Sequence, residues 1–112
     1  MKKIEAIIRP DKLLEVKKAL NKAGFPAMTT FDVRGSGKEQ GLVMRAFDGS
    51  EIKVELLPKQ KVEIVVNDKN LNDILKIVIE NAKTGNIGDG KIFVSTIDEE
   101  LTVRTGDRLK EV

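Results

Sequence analysis

The sequence predicts an α+β fold: two β-α-β units side by side in a split, ferredoxin-like sandwich, with a long arm inserted between them. Three observations point there. Residues 3–8 (KIEAII) and 61–66 (KVEIVV) resemble each other, and both alternate and are β-branched, as strands are. Each is followed at once by apolar residues at helical spacing. Each helix is followed by a further strand-like run.

Taken in order, residues 3–8 are the first strand. Asp11, just after Pro10, is the expected helix cap, and Leu13, Val16, Leu20 and Ala23 recur on one face until Gly24 ends the helix. Residues 27–33 are the next strand. The second unit repeats the scheme with residues 61–66 and with Asp68 or Asn70 as cap. Leu71, Ile74, Leu75, Val78, Ile79 and Ala82 form its helical face, Gly85 follows the helix, and residues 91–97 are the last strand. Both helices should cover one face of a four-stranded antiparallel sheet. The opposite face would carry Glu5, Ile7, Glu63 and Val65. It is half apolar, which suits a symmetric oligomer that buries it or, as the alternative, a monomer with an amphipathic open face.

Between the units lies a long excursion, residues 35–58. It opens with two glycines and a lysine (Gly35, Gly37, Lys38), runs through Leu42, Val43, Met44 and Phe47, turns at Asp48-Gly49-Ser50 and returns. A short hairpin could have joined these strands, and connections longer than needed tend to be functional. As structure alone it is a hairpin extension with a glycine-rich base. As function it is a mobile arm that touches a partner, which would account for apolar residues with no core to enter. In the tail, residues 101–104 alternate like a short strand and Thr105-Gly106-Asp107 turns. Arg104 is either a phosphate contact or a solvated surface residue. The whole reads as one domain, residues 1–112, with an arm at 36–56, a glycine-rich loop at 84–91 and a C-terminal loop at 99–112.

Composition narrows the chemistry. The 112 residues suffice for one core. Twenty lysines and arginines against 18 acids create no strong field, so nucleic-acid binding is not expected. The chain has no cysteine, hence no disulfide or thiolate metal site, and no histidine, hence neither the commonest general base nor the commonest metal ligand. No apolar run reaches membrane-span length and no signal peptide is recognisable, so a cytoplasmic protein without membrane insertion is expected. Glu5 and Glu63, related by the repeat, are a carboxylate pair for acid–base work or, beside Lys3 and Lys61, members of cross-strand ion pairs. No catalytic residue stands out, and the chain is read as a non-enzyme.

Phosphate binding is better supplied. In Thr84-Gly85-Asn86-Ile87-Gly88-Asp89-Gly90-Lys91, three glycines in six residues let the backbone turn sharply and approach a ligand, and Lys91 adds a positive charge. The phosphate-loop template is nearly met, but Ile92 stands where Ser or Thr would hold magnesium, and a strand follows instead of a helix. Residues 35–41 form a second glycine-rich segment, but with Gln40 where a dinucleotide fingerprint needs glycine. Lys38, Lys59, Lys91 and Arg104 are candidate cations. The plain alternative is that both segments are turns.

The opening Met1-Lys2-Lys3-Ile4-Glu5-Ala6-Ile7-Ile8-Arg9-Pro10, the segments Ala27-Met28-Thr29 and Leu57-Pro58-Lys59, and above all residues 84–97 closely resemble the PII signal-transduction proteins over nearly the whole chain. The resemblance implies a homotrimer with ATP and ADP competing in clefts between subunits. Ile7, Gly35, Gly37, Lys38, Gly88, Asp89, Gly90, Lys91 and Arg104 would surround the nucleotide, with Thr29 and Ile64 near the base. It also implies 2-oxoglutarate and Mg2+ at the base of the arm, at Glu39, Gln40, Gly41 and Lys59, with Lys59 facing the distal carboxylate. The arm would dock on a target such as an ammonium transporter, a nitrogen-metabolism enzyme or another transporter.

The chain departs from the family pattern in several places. Glu39 replaces a magnesium-binding glutamine; it could still ligate Mg2+, but its charge opposes a second anion. Lys38 replaces an arginine, and Thr102 another. The arm has one extra residue and no tyrosine to uridylylate, while Ser50 matches a serine that some members phosphorylate. These departures raise two alternatives: a divergent member without 2-oxoglutarate sensing, and a slow ATPase.

Overall fold

A computed structural model describes residues 1–37, 42–54 and 56–109. Four strands make the main sheet: β1 (Lys2–Ile8), β2 (Thr29–Gly35), β5 (Leu57–Val66) and β6 (Lys91–Thr96). Their order is β2-β5-β1-β6 and every pairing is antiparallel. The helices α1 (Leu13–Lys22) and α2 (Leu71–Ala82) are the crossovers of the two β-α-β units. The fold is the expected α+β, ferredoxin-like one.

Alternation in the strands sets which face is covered. Ile4, Ala6 and Ile8 of β1 and Val62, Ile64 and Val66 of β5 point to the helices. There they pack with Val16 and Leu20 of α1 and Ile74, Val78 and Ala82 of α2 into one buried cluster. The opposite alternation, Lys3, Glu5 and Ile7 with Lys61, Glu63 and Val65, is half-exposed on the open face. Register places Glu5 directly opposite Glu63. Each has its own lysine two residues earlier: Lys3 Nζ lies 2.9 Å from Glu5 and Lys61 Nζ 3.3 Å from Glu63. Like charges facing each other across a ladder are unfavourable, and the two lysines neutralise them. The Lys3 hydrogen bond and then its charge lower the Glu5 pKa, and Glu5 raises that of Lys3. These carboxylates are therefore ion-paired along their strands; the bridges found are within each strand, not across it.

Several sequence expectations are corrected. β2 begins at Thr29 and runs to Gly35, two residues later at each end than expected, because pairing with β5 extends from Glu63 to Leu57. Neither helix has the predicted side-chain cap. Pro10–Lys12 and Asp68–Asn70 are 3-10 turns leading into the helices, closed by backbone bonds from Lys12 N–H to Arg9 C=O and from Asn70 N–H to Asn67 C=O. Asp68 pairs instead with the N-terminal ammonium at 3.2 Å. Ala23 lies past the end of α1 and is exposed, and Ile79 faces away from the core. In the tail, residues 101–104 are not one strand. β7 (Glu100–Leu101) pairs with β8 (Arg108–Leu109), and residues 103–105 turn between them.

The arm contains a hairpin, β3 (Leu42–Arg45) with β4 (Glu51–Val54), which among the described residues pairs with neither of the other sheets. Its tip is closed by Ala46 N–H to Ser50 C=O and Gly49 N–H to Ala46 C=O. Phe47 stands fully exposed there. Lys38, Glu39, Gln40 and Gly41 lie outside the described residues, as do the side chains of Leu42, Val43 and Met44.

Candidate functional site

The C-terminal end of α2 delivers the chain into the glycine-rich loop, and β6 leads it back beside β1. Between them the loop crosses the end of β1. Gly85, Gly88 and Gly90 all have positive φ, near 90°, 105° and 105°. At Gly90 the need is absolute. A Cβ there would stand 1.7 Å from the Ile7 carbonyl oxygen, so the loop lies directly against the β1 backbone.

Asp89 organises the loop from within. Its Oδ2 accepts the N–H groups of Thr84 at 2.7 Å and Gly85 at 2.9 Å, and its Oδ1 accepts the Thr84 hydroxyl and Arg9 Nε at 3.0 Å. The Thr84 hydroxyl first, then the Thr84 N–H, with Arg9 and Gly85 adding, holds this carboxyl far below the ordinary carboxylate range. The carboxylate expected among the phosphate-wrapping residues is thus directed into the loop's own frame. Arg9 also donates from Nη2 to the Ile87 carbonyl at 3.0 Å. A third tie comes from β5, where Lys59, 9% exposed, donates from Nζ to the Gly88 carbonyl at 2.8 Å.

On the outer side of the loop is a cleft of about 480 Å³, lined by Ile7, Gly35, Ser36, Gly37, Lys59, Ile87, Gly88, Gly90, Lys91 and Phe93. Among the described residues, its lining contains two lysines and no carboxylate. Four glycines bring bare backbone to its wall, and among the described residues the Gly88 N–H is engaged in no hydrogen bond. Donors and positive charge without opposing acids suit a polyanion. A smaller cavity of about 270 Å³ behind the loop shares Ile7, Gly90 and Lys91, but Ile8, Val78, Ile79, Ala82 and Ile92 make it mostly apolar.

Of the sequence-predicted residues, the structure therefore brings together Ile7, Gly35, Gly37, Lys59, Gly88, Gly90 and Lys91. Besides the inward-turned Asp89, it does not bring in Thr29, Ile64 or Arg104. Thr29 begins the strand that Gly35 ends, roughly 20 Å away at the usual rise of a strand. The Ile64 side chain is in the core, so only its backbone could meet a ligand. Arg104 is exposed in the tail turn and does not line the cleft. Ser50 is exposed at the arm tip, its N–H and hydroxyl both donating to Asp48 Oδ1 at 2.9 and 2.6 Å. Arg9 is the residue that sequence reading passed over. Its partners are about eighty positions away, and a lone arginine just after a strand has no spacing signal.

Among the described residues, no group of three or more acidic side chains that could hold a metal occurs, and no helix is long and apolar enough to cross a membrane. Residues 1–107 match the family model described as nitrogen regulatory protein P-II. The chain is 48% identical over 111 residues to nitrogen regulatory protein P-II 2 of Methanothermobacter thermautotrophicus, covering 99% of this chain and 96% of the relative. It is 50% identical to the nitrogen regulatory protein P-II of Nostoc punctiforme over 99% of this chain and 98% of the relative. The Porphyra purpurea protein of the same name is 50% identical over 96% and 95%.

Proposed function

Since the chain belongs to the nitrogen regulatory protein P-II family, we propose that it is a non-enzymatic signalling regulator that binds ATP and ADP and controls a partner through its arm. The observation that carries the nucleotide reading is the cleft, which among the described residues is lined by two lysines, a bare glycine backbone and no acid. The site is completed by a neighbouring copy in a homotrimer. Thr29, Ile64 and Arg104 stand away from the cleft of their own chain, and a second subunit brings its set of these residues to the nucleotide. The nucleotide state biases the arm, residues 36–56, because Gly35, Gly37 and Lys59 are at once cleft wall and arm base. The arm's target is an enzyme of nitrogen metabolism or a transporter such as one for ammonium. Ser50, exposed at the tip, is a possible site of modification.

Mg2+ and 2-oxoglutarate belong to the same proposal at Glu39, Gln40, Gly41 and Lys59. Glu39 supplies an oxygen for the metal, while its charge opposes the second anion. The Lys59–Gly88 bond adds weight to the reading without 2-oxoglutarate, since the ammonium already serves the loop. Calorimetry with ATP and with ADP tests the main claim; saturable binding is expected, and no heat from either at millimolar nucleotide overturns it. Repeating the ATP titration with Mg2+ and 2-oxoglutarate separates the two readings: a strong gain in ATP affinity refutes the loss of 2-oxoglutarate sensing.

A further inference from the structure

We propose that Arg9 is a positioning residue of the anion cleft, holding the glycine-rich loop in its binding shape through one fork to the Asp89 carboxylate and the Ile87 carbonyl. The inference rests on the nucleotide reading of that cleft. Arg9 directly follows the last residue of β1, and its guanidinium reaches the loop, with Nε 3.0 Å from Asp89 Oδ1 and Nη2 3.0 Å from Ile87 O. These two acceptors flank Gly88, a residue of the cleft wall. A planar guanidinium fixes both at once, as a lysine ammonium does not.

The same contact has an electrostatic consequence. Asp89 is the one carboxylate in the loop, next to a site that suits an anion. Its oxygens are turned to Thr84, Gly85 and Arg9, and the guanidinium offsets its charge. Without Arg9 the loop would lose its hold on Ile87, and Asp89 would keep its bonds to Thr84 and Gly85 but lose its counter-charge beside the bound phosphates. Arg9 therefore acts through the loop, at one remove from the ligand.

The test compares the full-length protein with Arg9→Met and Arg9→Lys by two measurements. Amide hydrogen exchange without ligand reads the loop: in Arg9→Met the Thr84 and Gly85 amides should exchange about tenfold faster or more, with the Val62 and Ile64 amides unchanged. Calorimetry reads the cleft: the ATP Kd should rise about tenfold, the loss of a charge-assisted hydrogen bond, and Arg9→Lys should fall between. Exchange and affinity both at wild-type values would overturn the proposal. So would exchange accelerated equally in loop and core, which marks a general structural role; Arg9→Lys keeps the charge and guards against a variant that does not fold. If the wild-type protein binds no ATP, the nucleotide reading falls, while exchange still decides whether Arg9 sets the loop.

Discussion

Gly90 occupies a position at which no L side chain fits. Its φ is near 105° and any Cβ would meet the Ile7 backbone, which cannot yield without breaking the β1–β6 pairing around Ile7 and Lys91. Gly90→Ala should therefore cost about 3 kcal/mol or more, read from chemical denaturation midpoints, where an alanine at an unstrained loop position would cost little. A Gly90→Ala protein as stable as wild type would contradict the close approach of loop and strand. At this scale legibility was uneven. The glycines of the loop were evident because only residues tolerant of positive φ cluster so densely, and Lys91 because charge beside such a cluster is informative. Arg9 was not, since its role depends on a tertiary contact, and the inward turn of Asp89 was not, since a carboxylate near a phosphate loop reads the same whether it faces in or out.

At the scale of elements, the period of the apolar residues carried most of the information, and it failed where an element meets solvent. Ile74, Val78 and Ala82 follow the helical period into the core, while Ile79, next to Val78, turns outward with nearly half its surface free. Ile74→Ala should destabilise by about 2–5 kcal/mol, as a fully buried truncation does. Ile79→Ala should stay within about 1 kcal/mol. Thermal or urea unfolding of the pair checks the orientation of α2, and comparable losses would mean that the helix is rotated from this placement. The strand boundaries were less legible for a related reason. Residues 27 and 28 are as apolar as a strand, but β2 is an edge strand whose start is fixed by where β5 offers a partner. The tail alternates over residues 101–104, yet the chain turns there, because β7 and β8 pair only across two residues. Cap residues were also present without forming the expected bonds: the 3-10 turns after Arg9 and Asn67 start each helix through backbone bonds.

For the molecule as a whole, the open face of the sheet is the surface that the proposed assembly would bury. Its middle is a mixed field: Lys3 with Glu5, Lys61 with Glu63, and Phe31 beneath the Lys61 ammonium, 4.6 Å from it. Phe93 stands opposite Glu5, 53% exposed. A single chain thus presents aromatic rings and half-covered ion pairs to water on one side, with Thr29 and Arg104 away from the cleft they are expected to serve. The closed oligomer proposed above would resolve both, because it would cover the rings and bring one subunit's Thr29 to another's loop. Placing a carboxylate at residue 93 sets three acids in one row with Glu5 and Glu63. Phe93→Asp should remain folded, since half the ring is already outside, but lose the assembly. Sedimentation velocity should show the wild type at three times the 12.4 kDa chain mass and the variant at the mass of one chain, with circular dichroism unchanged. A wild-type protein that sediments as a single chain would overturn the shared-site reading, and a Phe93→Asp protein that keeps the trimer mass would remove the open face from the interface.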